Sequence, residues 1–293
     1  MNPFLRQVEV LIGPTEEWRG GGNERQSIRL VGDGSSDNFA IKFTVNKHVI
    51  STASPSIIQV YNLSQALRES LRSSETKIVL RAGWKNTGLV QVFTGSLLYV
   101  SHQREGADII TNLISLAGYG GMSRTIISAT FADLTKVRDI VKAFAMQIPG
   151  VTVDDKLIDL PDLAAGSQGW SFAGPVNAGL DKLSRSYKFD WWINNGVFYA
   201  LGHDKTITGT VKLSSENGFL MRVEPMLATP MQKQIGVSIQ SLFNPYVEPG
   251  RIVEVESAVN PRLNGRYKVH TLYHSGDTHS TQWTTSIDSW VIV

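Results

Sequence analysis

The sequence predicts an α+β chain that is mainly β, with two antiparallel β-modules and an α/β segment inserted between them. Three observations carry this. Strict alternation runs through Phe39, Ile41, Phe43 and Val45 early in the chain and through Arg251 to Ser257 late in it, the period of strands buried on one face. Between these stretches the period changes, because Leu134, Val137, Ile140, Val141, Phe144, Ala145 and Ile148 recur at helical spacing. The length of 293 residues gives two or three domains ample chain for buried cores.

In chain order, Phe4 to Ile12 alternates and reads as a strand, followed by a loop over Glu16 to Glu24 that holds Gly20-Gly21-Gly22. Those glycines lack the following Lys-Ser/Thr of a phosphate loop and the spacing of a dinucleotide fingerprint, so no nucleotide cofactor is expected. Asp33-Gly34-Ser35-Ser36-Asp37 supplies oxygens but misses the spacing of a calcium loop and its distal Glu, and reads as a polar turn. Phe39 to Val45 opens the first β-module and Ser56 to Tyr61 is the next strand. Asn62-Leu63-Ser64 then caps a short helix with Leu63, Leu67 and Leu71 on one stripe. Ile78 to Trp84 and Leu89 to Phe93 form strands, Gly95 is expected to break the ladder, and Leu97 to Val100 with Ile109 to Leu116 complete an antiparallel set.

In the middle segment, Asp133 is expected to cap the first amphipathic helix and Pro149-Gly150 to stop it. A second helix starts at Pro175, with Val176, Leu180, Leu183 and Tyr187 on one face. Asp190 to Ile193, an Asn195-Gly196 turn and Val197 to Leu201 make a hairpin of type I′ composition. Thr206 to Val223 reads as strand and Glu224 to Gln234 as the connection to the last module, where Arg251 to Ser257, Arg266 to Tyr273 and Gln282 to Ile287 are strands separated by turns. The domain boundaries are 1–125, 126–235 and 236–293.

Composition narrows the function. Lys plus Arg at 28 against Asp plus Glu at 26 leaves +2, and charged residues make up only 18% of the chain, too weak a field for a dedicated polyanion binder. The absence of cysteine excludes disulfides, cysteine-type zinc fingers and thiol catalysis. The N-terminus lacks the pattern of a secretory signal, and no run of about 18 apolar residues could cross a bilayer.

Candidate chemistry has plain alternatives. His270 and His274 are expected to share a strand face with His279 beyond the next turn, a three-histidine geometry that no carboxylate pair completes. Glu248, Glu254 and Glu256 beside Asp277 offer a glycosidase-type pair, but alternate residues on a strand read better as a solvated or channel-lining face. Trp170, Trp191, Trp192 and Trp283 could stack on sugars, yet a hairpin beside two amphipathic helices needs them for its core. No residue is assigned a catalytic, cofactor-binding or metal-ligating role.

Several stretches together resemble a known family. They are VYNLS at Val60 to Ser64, KIVLRAGW at Lys77 to Trp84, VFTGSLLYV at Val92 to Val100 and REGADIITNLISLAG at Arg104 to Gly118, followed late in the chain by the LFNP and PG pieces of Leu242 to Gly250, NGRYKV at Asn264 to Val269 and the closing His274 to Thr285. In order and spacing the chain from about Phe39 to Ile287 resembles contractile-tail phage baseplate hub proteins, the tail-hub family that includes late-control protein D and type VI secretion spike proteins. The resemblance implies two small tube-like antiparallel β-barrel domains with an α/β insertion. It also implies a structural virion protein that forms a homotrimeric ring, adapts the tail tube to the central spike and leaves a channel for DNA ejection. The implied partners are the tail tube protein, the central spike protein, other baseplate proteins and the tape measure protein, with genomic DNA in transit and no membrane insertion, after synthesis in the host cytoplasm. A tail-associated wall-degrading enzyme using carboxylates and a secretion-system spike hub are the rivals. The latter usually continues into a needle, and since this chain stops at Val293 the spike is expected to be a separate chain.

Because no acid and base constellation is visible, purified protein incubated with peptidoglycan should release neither reducing sugar nor peptide. Release abolished by Glu254→Gln or Glu256→Gln would instead establish hydrolysis.

Overall fold

The computed structural model of the chain describes residues 5–14, 27–51, 55–71, 76–117, 125–166, 169–226 and 236–291. The fold is mainly β. Its first strands are β1 (Arg6–Pro14), β2 (Ile28–Gly32), β3 (Ile41–His48) and β4 (Pro55–Tyr61). After helix α1 (Gln65–Ser70) come β5 (Thr76–Trp84), β6 (Gly88–Glu105) and β7 (Asp108–Leu116). The middle segment holds β8 (Ile126–Phe131), α2 (Val137–Ala145), β9 (Thr152–Asp159), β10 (Trp170–Pro175), α3 (Val176–Tyr187), β11 (Phe189–Asn194) and β12 (Val197–Gly202). β13 (Thr210–Ser214), β14 (Leu220–Pro225), β15 (Gly236–Leu242), β16 (Ile252–Glu256), β17 (Gly265–Asp277) and β18 (Trp283–Val291) complete the chain. The Gly-rich loop expected over Glu16 to Glu24 lies outside the described residues.

Among the described residues the two β-modules share one thirteen-stranded sheet, in the order β14-β15-β18-β17-β3-β4-β7-β6-β5-β1-β2. β16 branches from β17 and carries β13 in parallel, in a sheet otherwise antiparallel. The link between modules is β17 on β3, paired from Thr271 with His48 to Asp277 with Lys42. Alternation explains β3: Ile41, Phe43 and Val45 point inward as the sequence predicts, and Lys47 takes the next inward place. Ser64 caps α1 by accepting the Leu67 N–H at 3.3 Å, with Leu63 and Leu71 buried beneath.

Gly95 does not break the ladder. β6 runs through it and changes partner there, pairing with β5 up to Ser96 and with β7 from Ser96 onward. A Cβ at Gly95 would stand 2.5 Å from the Leu116 carbonyl oxygen, so glycine is needed for close approach rather than for a stop.

In the middle segment, α2 begins at Val137, later than the periodicity predicts. Leu134 has φ +59° and is exposed, and Lys136 forms a bridge with Ala164, so Asp133 does not cap the helix. Asn195 and Gly196 both have positive φ, as a type I′ hairpin turn requires. Trp191, Phe144, Phe198 and Leu180 are buried in this segment's own core. No helix among the described residues is long and apolar enough to cross a membrane.

The core of the first module is completed from the far end of the chain. Phe243 and Trp283 are buried with Phe43, Trp84 and Phe93. Edge-to-face contacts set Phe43 at 5.9 Å from Phe243 and 5.5 Å from Trp283, and the Trp84 indole N–H donates to the Phe243 carbonyl at 3.2 Å. Arg6 caps this cluster, its guanidinium 5.6 Å over the Trp283 ring and bonded to the carbonyls of Asp277, Ser280 and Thr281. Trp283→Ala should therefore lower unfolding free energy by about 3–5 kcal/mol, measured by urea denaturation; a loss below about 1 kcal/mol would show that the cluster does not hold the modules together.

Candidate functional site

The site that joins the parts is built on Lys47. Its ammonium reaches both oxygens of Glu248, at 2.8 and 3.0 Å, from a place on the buried face of β3. Asn194, at the end of β11, donates to the same carboxylate at 2.5 Å. Beside it, the Asn195 side chain accepts the Thr94 N–H of β6 at 3.1 Å. One polar clamp thus ties β3, the segment after β15 and the hairpin of the middle segment. Trp192 seals it, buried with Val49 and Leu201 and stacked at 5.1 Å on Tyr199. Sequence reasoning missed Lys47, although its place two residues past Val45 in an inward series was a signal: a lysine there needs a buried acid.

The histidine cluster does not form. A β-bulge between Val269 and Thr271 adds a residue and reverses the alternation, so His270 lies on the half-exposed face while His274 is fully buried on the other. His274 Nδ1 is 2.9 Å from Thr285 Oγ1, and His279 Nδ1 is 2.9 Å from Thr278 Oγ1. Burial, with Lys47 nearby, holds the His274 imidazole well below its ordinary range. The carboxylates are engaged separately: Glu248 in the clamp, Glu256 with Lys212 at 2.8 Å, and Asp277 accepting the N–H groups of His279 and Ser280. Trp191, Trp192 and Trp283 are core residues, and Trp170 stacks at 5.8 Å on Phe172. Asp33 accepts from Ser35 and Asn38 in a polar turn, and these bonds hold its carboxyl below the usual range.

The outward face of the large sheet continues across the junction. One row of partners runs Thr284, Ser275, Thr44, Ile57, Ile114 and Tyr99, without a charge. The next runs Asp277, Lys42, Gln59, Asn112 and Ser101, with the two charges directly opposed. Gln59 donates to Asn112 at 2.8 Å and Asn112 to Ser101 at 3.3 Å, an amide ladder that fixes the row. The charged part of the surface lies apart, where Lys212, Glu254, Arg266 and Lys268 sit on β13, β16 and the first half of β17. Both ends of the run are edges. Among the described strands β14 pairs only with β15, and beyond Ser96 β6 pairs only with β7, leaving Leu98 and Tyr99 exposed.

Comparison with known proteins fits this geometry. The family model for baseplate hub gp41 matches residues 29–288. The structure is similar to a tail protein from Neisseria meningitidis MC58, with a TM-score of 0.64 at 10% identity over 98% of this chain and 97% of that one. It is similar to the 43 kDa tail protein of prophage MuSo2 from Shewanella oneidensis, with a TM-score of 0.63 at 8% identity over 96% of each chain. The c3393 protein of E. coli, a component of the type VI secretion system, follows with a TM-score of 0.60 at 10% identity over 85% of this chain and 73% of that one. At such identities the likeness is one of fold alone. No curated protein sequence matches the chain.

Lys47→Met strands a largely buried carboxylate and should destabilise the protein by about 3 kcal/mol. The double variant Lys47→Met/Glu248→Leu should recover more than half of that loss. Urea unfolding of both checks this, and equal losses in the two would refute the clamp.

Proposed function

Because the chain belongs to the baseplate hub gp41 family, we propose that it forms a homotrimeric ring at the centre of a contractile phage tail, joining the tail tube to the central spike around a channel for DNA. Family membership itself makes it a structural tail protein. The observation that carries the ring is the pair of open edges. From β14 to the second half of β6 the sheet ends on each side, among the described strands, in a strand with one partner, the arrangement that natural proteins cover or pair. Setting the β6 edge of one copy against the β14 edge of the next is a heterologous contact, and such contacts close into a ring when the rotation allows.

Three copies bring six β-modules around the axis, matching a six-fold tube to a three-fold spike. The reading of each module as a small barrel is supported by the Phe39 N–H, which donates to Val31 at 2.9 Å and brings β2 back to the start of β3. It is supported in the second module by Leu213 and Val223, which come from the two outer strands into one core. The divisions at 125/126 and 235/236 belong to the same proposal.

The channel wall in this reading is the face that crosses β17 and β3, where one row carries no charge and the next carries only the opposed pair Asp277 and Lys42. DNA passes such a surface without the phosphate contacts that would retain it. As lumen, the outward face of β3 fits better than that of β16, where charges gather. The tail tube protein, the central spike protein, other baseplate proteins and the tape measure protein are the partners proposed, in the virion tail. The structural reading is supported by the separate engagement of Glu248, Glu256 and Asp277 in the fold.

Mass measurement on hubs released from tails should give three copies. A stable monomer at tail-like local concentration, or six copies of this chain in the ring, would refute the adapter.

A further inference from the structure

His274 plays no part in the ring, yet it sits where the two β-modules are joined. It faces inward from β17, opposite Val45 of β3 on one side and Thr285 of β18 on the other, with no solvent exposure. The Phe243 ring lies 5.3 Å away. Thr285 Oγ1 accepts the Asn244 N–H at 3.1 Å and lies 2.9 Å from His274 Nδ1. Nε2 has no hydrogen-bond partner among the described residues, so of the two N–H groups of an imidazolium only the one on Nδ1 would find an acceptor. Full burial with one nitrogen lacking an acceptor favours the neutral ring.

The charged groups around it make a second proton costly. β3 presents Lys47, and the segment after β15 presents Glu248, whose oxygens are already taken by Lys47 and Asn194. β18 turns only Trp283, Thr285, Ile287 and Ser289 inward, with Asp288 on the opposite face, and β4 adds apolar Ile58 and Val60. On β17 itself, Lys268, His270 and Asp277 lie off the buried face. An imidazolium here would stand beside an ammonium with no carboxylate left to receive it. In water, after β17 parts from β3, the same proton meets no such penalty.

We propose that the β3–β17 seam is an acid-operated latch, closed around neutral His274 and opened by its protonation, so that acid separates the two β-modules locally. The opened state takes up the proton in the ordinary histidine range near pH 6.5, whereas the closed state resists it, as the lowered pKa requires. Closure is thus fully favoured above that range. Below it, the closing equilibrium weakens by up to about tenfold per pH unit, until the closed-state pKa is reached.

Hydrogen exchange read by mass spectrometry on the full chain tests this, at about pH 7.5 and about pH 5 and corrected for intrinsic rates. Amides of residues 42–48 and 271–277 should open more than about tenfold more readily in acid, while those of α2 and α3 stay protected. His274→Gln, which keeps a neutral polar side chain beside Thr285, should abolish the acid step. Should that variant fail to fold, a disulfide from Thr44→Cys with Ser275→Cys answers the same question, since these residues are register partners and the chain has no cysteine. Its oxidised form should stay protected in acid and its reduced form should open. An unchanged seam in acid, an equal rise in His274→Gln or in the oxidised form, or uniform opening of the whole chain would overturn the latch.

Discussion

Everything in this molecule hangs on the ladder between β3 and β17. It sets Phe43 against Gly276, where a side-chain carbon would come within 2.4 Å of the ring, and this closeness lets Trp283 and Phe243 enter the first module's core. Each fully buried aromatic of this kind contributes about 1.5–3 kcal/mol, so the first module without its visitors would be left with a cavity as well as an open edge. The two modules are therefore two cores on one sheet, and the first is not complete without residues of the second. A freely moving hinge between modules would need a seam with few buried contacts, and this seam has many.

The clamp adds the middle segment to this frame by different physics. Aromatic packing tolerates small shifts, but the Lys47–Glu248–Asn194 group has fixed distances and one geometry that satisfies all three. Apolar burial gives strength at the junction and the polar group gives register. Thr94 and Asn195 repeat the device on β6, so the hairpin is held at two points and its orientation is set.

Much of this was legible in the sequence wherever the determinant is local. The Ser64 cap, the Asn195-Gly196 turn and the alternation of β3 each depend on neighbours a few residues away, and each is found where the pattern places it. What escaped depends on distant partners. The strands β8, β9 and β10 carry weak alternation and are fixed by pairing, β9 in parallel with β12. The bulge at His270 reverses a face and dissolves a histidine cluster that simple alternation assembles. Gly95 reads as a break until Leu116 is known to pass beside it. The open edges and the neutral face exist only once strands far apart in the chain are laid side by side.

The late arrival of Phe243 and Trp283 has a consequence for biosynthesis. The Ile41 N–H is satisfied by the hydroxyl of Thr278, 237 positions later, so an early strand waits for residues far along the chain to leave the ribosome. Contacts of such separation form slowly, and exposed edges in the interval invite wrong partners. A nascent chain still lacking β17 and β18 therefore presents an unfilled core and a β3 paired on one side only, by β4. The first module's core thus closes only after β18 has been made, and until then the open side of β3 is the place where a wrong strand would pair.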